Sequence, residues 1–214
     1  MISVIIPVRN EELTIRRCIN SILNQDTSER FEIIVADGIS TDSTAEIVRD
    51  IASEDRRVRL IKNRNKTTAF GRNICIKESK GDIIVNFSGH VVARKSFLRV
   101  LSSKLRAAPA DVAGVGCPNY PPSSGSFTQS MAAIVYESFM GGKGLTHQYL
   151  KAKKDTPAGS IAFCAYRRSI FDKVGMFDPA FYVNNDGEFN YRVAKAGFRL
   201  MLTPDTGVTH FKLS

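Results

Sequence analysis

At 214 residues the chain has room for one large domain or two small ones, and a 43% hydrophobic content supplies a full core. Its net charge of +9 favours anionic partners: phosphorylated substrates, acidic lipid surfaces or nucleic acid. No apolar run approaches the roughly 20 residues that span a bilayer, and Met1 to Pro7 lacks the basic n-region of a secretory signal. Cys18, Cys75, Cys117 and Cys164 lie far apart among apolar neighbours, with no CxxC and no zinc spacing. They read as buried free thiols in a reducing compartment.

Ile2 to Ile6 is a short apolar run closed by Pro7, a first strand. Asn10 is an expected helix N-cap, with Glu11 and Glu12 suited to the positive first turn. Ile15, Cys18, Ile19, Ile22 and Leu23 follow helical spacing. Phe31 to Ala36, interrupted only by Glu32, is the second strand, and Asp37-Gly38 ends it. The capping-rich run Ser40 to Thr44 opens a helix with Ile47, Val48, Ile51 and Ala52 on one face. Val58 to Ile61 is a third strand, and Thr68 to Lys80 a helix stopped by Gly81.

Asp82 to Phe87 is a fourth strand, which runs out into Ser88, Gly89 and His90. Strands alternating with helices predict a parallel sheet covered on its faces. Right-handed crossovers then put the strands' C-terminal ends on one rim, where ligands of open α/β sheets bind. Pro7, Arg9 and Glu11, Asp37, and Ser88 to His90 should converge there by topology. Gly89 would permit close approach of backbone and ligand. His90 is a metal ligand or a titratable group near neutral pH.

Lys95 to Leu105 reads as a helix and Val112 to Cys117 as a strand. The Pro-, Ser- and Gly-rich stretch from 118 to 126 is the expected internal seam, dividing the chain into halves 1–117 and 118–214. Residues 127–139 read as a helix and the glycines at 141–144 as a lid or linker. Ile161 to Tyr166 is a strand, Arg168 to Val174 a short helix, and Asn184 to Ala196 a helix with acidic residues at its start. Phe198 to Leu202 and Gly207 to Phe211 finish as strands, His210 in the last.

These residues, taken in order, resemble the family 2 glycosyltransferases of GT-A fold. Val4-Ile5-Ile6-Pro7-Val8-Arg9-Asn10-Glu11-Glu12 is similar to that family's first strand and loop. Asp37-Gly38-Ile39-Ser40-Thr41-Asp42 resembles its Asp-Gly-Ser-x-Asp segment, and Gly71-Arg72-Asn73 its Ala-Arg-Asn helix. Asn185-Asp186-Gly187-Glu188, followed by Arg192, Gly197, Pro204 and His210, resembles its Glu-Asp region. The resemblance implies a single GT-A domain with a mostly parallel, Rossmann-like sheet and helices on both faces. The half 1–117 would bind the nucleotide sugar and the half 118–214 the acceptor.

It further implies inverting transfer from a UDP- or GDP-type sugar to a glycan or polyprenyl-phosphate-linked acceptor. Pro7, Arg9, Glu11 and Asp37 would line the base and ribose pocket, and Arg72 would meet the donor phosphates. Asp186 would be the general base and Glu188 an acceptor-binding or structural residue, with Arg192 an i,i+4 partner for it. Turn and cap chemistry is the alternative for Asp37 and Asp42. The family's Asp-x-Asp, whose last Asp holds a divalent ion, is here Ser88-Gly89-His90, a variant resembling the Asp-Gly-His of succinoglycan-type transferases. His90 and His210 would share one ion, Mn²⁺ or Mg²⁺, with the diphosphate; otherwise Arg and Lys neutralise it. The implied setting is cytoplasmic, at the inner face of a membrane whose surface is a further partner. A catalytically impaired nucleotide- or glycan-binding relative is the rival reading. Nucleic acid is not an expected partner, because no Arg/Lys stripe with interleaved aromatics occurs. A NAD-type fold is disfavoured by the absence of GxGxxG after the first strand.

Overall fold

A computed structural model describes residues 1–120 and 152–211. The helix expected at 127–139 and the glycines at 141–144 lie outside the described residues. The described chain builds one eight-stranded sheet of order β3-β2-β1-β4-β9-β6-β10-β8 and a small sheet β5-β11-β7.

β1 (Ile2–Val8) is the hub. It pairs in parallel with β2 (Phe31–Asp37) on one side and β4 (Ile83–Asn86) on the other, and β2 pairs in parallel with β3 (Val58–Lys62). Strict alternation sends Ile2, Val4, Ile6 and Val8 into one core layer and Ile5 into the other. β2 does the same with Phe31, Ile33 and Val35 against Ile34 and Ala36. The first layer is covered by α1 (Ile15–Leu23), α2 (Thr44–Glu54) and α4 (Phe97–Ala107). The second is covered by α3 (Thr68–Glu78), α5 (Ser169–Val174) and α6 (Asn185–Lys195). Helices on both faces of one sheet agree with the sequence reading. All four cysteines are free and buried.

The strands past β4 depart from the simple parallel expectation. β9 (Cys164–Arg167) runs antiparallel between β4 and β6 (Val112–Gly116), so it presents its first residue, not its last, to the rim. β10 (Arg199–Leu202) restores the parallel direction beside β6, and β8 (Thr156–Ala158) closes the edge antiparallel. Three short strands were not anticipated: β5 (Val91–Ala93), β7 (Asn119–Tyr120) and β8. β5 and β7 pair with β11 (Val208–His210), and the register sets His210 opposite Val91. This small sheet ties the end of the described chain to the exit of β4. Elements from both halves of the chain therefore share both sheets.

Two glycines have packing roles. Gly81, expected as a helix stop, follows a helix that already ends at Ser79 in extended backbone. A Cβ at Gly81 would come within 2.7 Å of the Ser3 nitrogen and hydroxyl. There the Gly81 amide bonds Ser3 Oγ at 2.8 Å, and Ser3 in turn donates to the buried Glu32 at 2.7 Å. That network satisfies Glu32, the acidic side chain near the start of β2. At Gly116 a Cβ would meet Ile161 Cγ2 at 2.2 Å and the Phe163 carbonyl at 2.7 Å. Gly116→Ala should therefore destabilise the fold by about 1–3 kcal/mol through overpacking, read as a lower urea midpoint at unchanged slope. An unaltered midpoint would mean that the Ile161–Phe163 segment yields freely.

Candidate active site

The loops after β1 and β2 fasten to each other across the rim. The Asn10 amide donates to Ser40 Oγ at 3.0 Å, and Asn10 Oδ1 accepts from the Thr41 amide at 2.9 Å. The Glu11 amide donates to Thr44 Oγ1 at 2.7 Å, and the Ser43 amide donates to Glu12 Oε2 at 3.0 Å. Asn10 is thus not the N-cap of α1. It holds φ 55°, a region Asn tolerates, and α1 starts at Ile15 after Thr14. Asp42 does turn and cap work: its Oδ1 accepts from the Thr44 hydroxyl at 2.6 Å and amide at 3.0 Å. Burial raises the Asp42 carboxyl, but these bonds outweigh it and hold the group below the usual range.

Asp37 ends β2 buried, and its carboxylate accepts from the Ser40 hydroxyl at 2.5 Å and amide at 3.2 Å. Arg9 is exposed and lines an open cleft of ≈ 430 Å³ with Asn65, Lys66, Thr67, Thr68 and Tyr182. Pro7 packs against α3 where Gly71 permits close approach; a Cβ at Gly71 would meet Pro7 Cβ at 2.9 Å. Among the described residues, all four non-glycine positions with positive φ lie in loops leading into helices: Asn10, Ile39, Lys66 and Asn184. Ile39 is the most telling, since a β-branched residue at φ 58° is a steric outlier.

Beyond β4, Gly89 fits against Val8 and Glu11; a Cβ there would meet Val8 Cγ1 at 2.8 Å. The Ser88 carbonyl accepts from the Val91 amide and from Cys18 Sγ, each at 3.2 Å. His90 Nδ1 bonds Glu11 Oε1 at 2.9 Å, and its ring meets the His210 ring edge to face, centroids 4.7 Å apart. Glu11 is therefore joined to His90 rather than standing apart in a base pocket. Thr14 Oγ1 also donates to its carboxylate, at 3.0 Å. Topology brings together Glu11, His90 and His210 from the start, middle and end of the chain.

Among the described residues no group of three or more His, Cys, Asp or Glu side chains is arranged to hold a metal ion. The donor chemistry nonetheless fits an ion completed by substrate oxygens. Two imidazoles meet at the rim, and the Glu11 bond to Nδ1 leaves Nε2 of His90 to a metal.

Asp186 and Glu188 both lie in the first turn of α6, and Asp186 is partly exposed. Glu188 is committed elsewhere. Arg192 clasps it with both Nε and Nη2, the latter at 2.8 Å, and also donates to the Val174 and Met176 carbonyls. Arg72 is buried beneath α6 and donates to Asn185 Oδ1. It does not open onto the cleft. Tyr182 and Phe177 were not singled out in the sequence, and Asn185 stood there only as the first residue of the motif around Asp186.

Residues 3–175 match the family described as Glycosyl transferase family 2, and the chain belongs to that family. A protein of Methanococcus voltae named dolichyl N-acetyl-alpha-D-glucosaminyl phosphate 3-beta-D-2,3-diacetamido-2,3-dideoxy-beta-D-glucuronosyltransferase is 27% identical over 100% of this chain and 67% of its own. The succinoglycan biosynthesis protein ExoA of Rhizobium meliloti is 28% identical over 97% of this chain and 62% of its own. Among solved structures, the mannosyltransferase PcManGT of Pyrobaculum calidifontis, in complex with GDP-Man and Mn²⁺, superimposes with TM-score 0.73 at 20% identity, covering 98% of this chain and 56% of that one. TarS of S. aureus with UDP-GlcNAc gives TM-score 0.72 at 17% identity, covering 100% and 59%. The fold is the one these transferases share. The chain spans about three-fifths of the length of ExoA and of both solved structures.

The Arg192 clasp gives a test of what Glu188 does. Glu188→Ala should cost about 1–3 kcal/mol, because Arg192 stays partly buried without its carboxylate, and the thermal midpoint should fall with it. An unchanged midpoint would return Glu188 to an acceptor-facing role.

Proposed function

We propose that this chain carries the catalytic domain of an inverting glycosyltransferase. Its donor is a nucleoside-diphosphate sugar of UDP or GDP type, and its acceptor a hydroxyl of a glycan or lipid-linked sugar. The observation that carries this reading is the meeting of Glu11, His90 and His210 at the exits of β1, β4 and β11, on the rim where Asp37 ends β2. The family membership and the nucleotide sugars bound by the PcManGT and TarS neighbours support it.

In this reading the base and ribose lie along Pro7, Arg9 and Asp37, in the cleft that Lys66 and Tyr182 border. The diphosphate reaches Ser88, Gly89 and His90. A divalent ion, when bound by His90 and His210, would supply positive charge to the diphosphate. Imidazole donors favour Mn²⁺ over Mg²⁺. Arg9 and Lys66 add cationic charge at the cleft. Asp186 takes the proton from the acceptor hydroxyl as that oxygen attacks the anomeric carbon. The bond from that carbon to the diphosphate oxygen breaks, its electron pair leaving with the nucleoside diphosphate. Attack from the opposite face inverts the anomeric centre.

The relative from Methanococcus voltae is named for a dolichyl phosphate-linked sugar, and ExoA for succinoglycan biosynthesis. The first name favours a lipid-linked acceptor and the second a glycan product; a working position at the inner face of a membrane is part of this proposal. No helix among the described residues is long and apolar enough to cross one.

Asp186→Asn should lower transfer by about 10²–10⁴-fold while leaving the thermal midpoint and nucleotide affinity close to wild type. Proton NMR of the wild-type product should show the inverted anomer. Near-normal transfer by the variant would remove Asp186 from the role. Nucleotide binding without turnover of any acceptor would favour the impaired relative that Ser88 at the first Asp position suggests.

A further inference from the structure

We propose that Arg72 is a positioning residue: with Asn73 it clamps the start of α6 onto the donor half and so sets the placement of Asp186, without touching the donor phosphates. The proposal rests on the reading of Asp186 as base.

The argument begins with burial. Arg72 is 5% exposed, too deep to meet a ligand in the cleft. Its Nη1 donates to Oδ1 of Asn185, itself 4% exposed. Its guanidinium lies 5.0 Å above the Phe177 ring, within cation–π range. The next residue on α3 grips the same segment: Asn73 Nδ2 donates to the Phe177 carbonyl at 2.8 Å, and Asn73 Oδ1 accepts from the Phe177 amide at 3.0 Å. Phe177 packs on Phe189 of α6 at 4.7 Å between centroids. Consecutive side chains of one helix therefore hold both the approach to α6 and its first residue.

A buried guanidinium is costly unless it is paired. Arg72 Nε has no hydrogen-bond partner among the described residues. Burial pushes the group down from its ordinary range, and the Asp186 carboxylate is the foremost influence opposing that. Asn184, immediately before the clamped residue, holds φ 55°. Asn tolerates that left-handed conformation, and the clamp holds the residue that follows it.

The experiment uses the full chain with Arg72→Lys, Asn185→Ser and the double variant. It measures affinity for UDP and GDP by calorimetry, amide exchange at residues 184–189, and nucleotide release from UDP-GlcNAc or GDP-Man. Nucleotide affinity should stay within about twofold of wild type, exchange at the start of α6 should quicken about tenfold or more, and turnover should fall. The double variant should be little worse than the poorer single one, as expected for residues acting as a unit. A tenfold loss of nucleotide affinity in Arg72→Lys would make Arg72 a phosphate ligand and overturn the proposal. Unchanged exchange at α6 would overturn it too. If Arg72→Lys does not fold, Asn185→Ser decides alone, since it deletes the same contact from the other side. Asp186→Asn at full activity would instead defeat the reading of Asp186 as base, and wild type that binds neither nucleotide would defeat the transferase reading.

Discussion

Everything at the rim depends on β1 being buried on both faces. A strand paired in parallel on both edges and covered above and below ends abruptly where its apolar residues end. The chain must then turn from full burial to solvent within a few residues. The same happens at β2, which is paired in parallel with β1 and β3 and buried throughout. Loops forced to turn so sharply satisfy their backbone with one another. The Asn10, Glu11 and Glu12 loop therefore bonds the Ser40 to Thr44 loop instead of floating free. Left-handed backbone at Asn10, Ile39 and Lys66 is concentrated in these turns, and a rigid, preorganised rim is what a polar ligand needs.

The far side of the site is tied to this rim by two long-range devices. The small sheet β5-β11-β7 carries His210 back to the exit of β4, so that two imidazoles remote in sequence meet. The Arg72–Asn73 clamp on Phe177 and Asn185 does the same for the helix that carries Asp186 in its first turn. The proposed donor cleft beside β1 to β3 and the proposed base on α6 are thereby held by one continuous packed body. The antiparallel β9, between β4 and β6, makes that body a single sheet.

Much of this was written in local pattern. The apolar runs of β1 and β2, the helical spacing of Ile15, Cys18, Ile19 and Ile22, and the polar exit of β4 place the rim from sequence. The pairing of Glu188 with Arg192 follows from i,i+4 spacing alone. Other features depended on contacts between distant segments. β5, β7 and β8 run two or three residues, too short to carry a period, and exist because longer strands offer them edges. Asn10 has the composition of an N-cap, but its bonds to Ser40 and Thr41 draw it into a left-handed turn. Arg72 carries a family motif and a charge suited to phosphate, and only the packing of α6 over α3 shows it buried. Tyr182 reaches the cleft because of how its loop folds, which no local signal encodes.

The most direct measurement is calorimetric titration of UDP, GDP and their sugar conjugates with Mn²⁺, with Mg²⁺ and with chelator, on wild type and His90→Ala. The account predicts that one nucleotide binds, more tightly with Mn²⁺ than with chelator, and that His90→Ala abolishes the difference. Absence of binding by every nucleotide under every condition would contradict it.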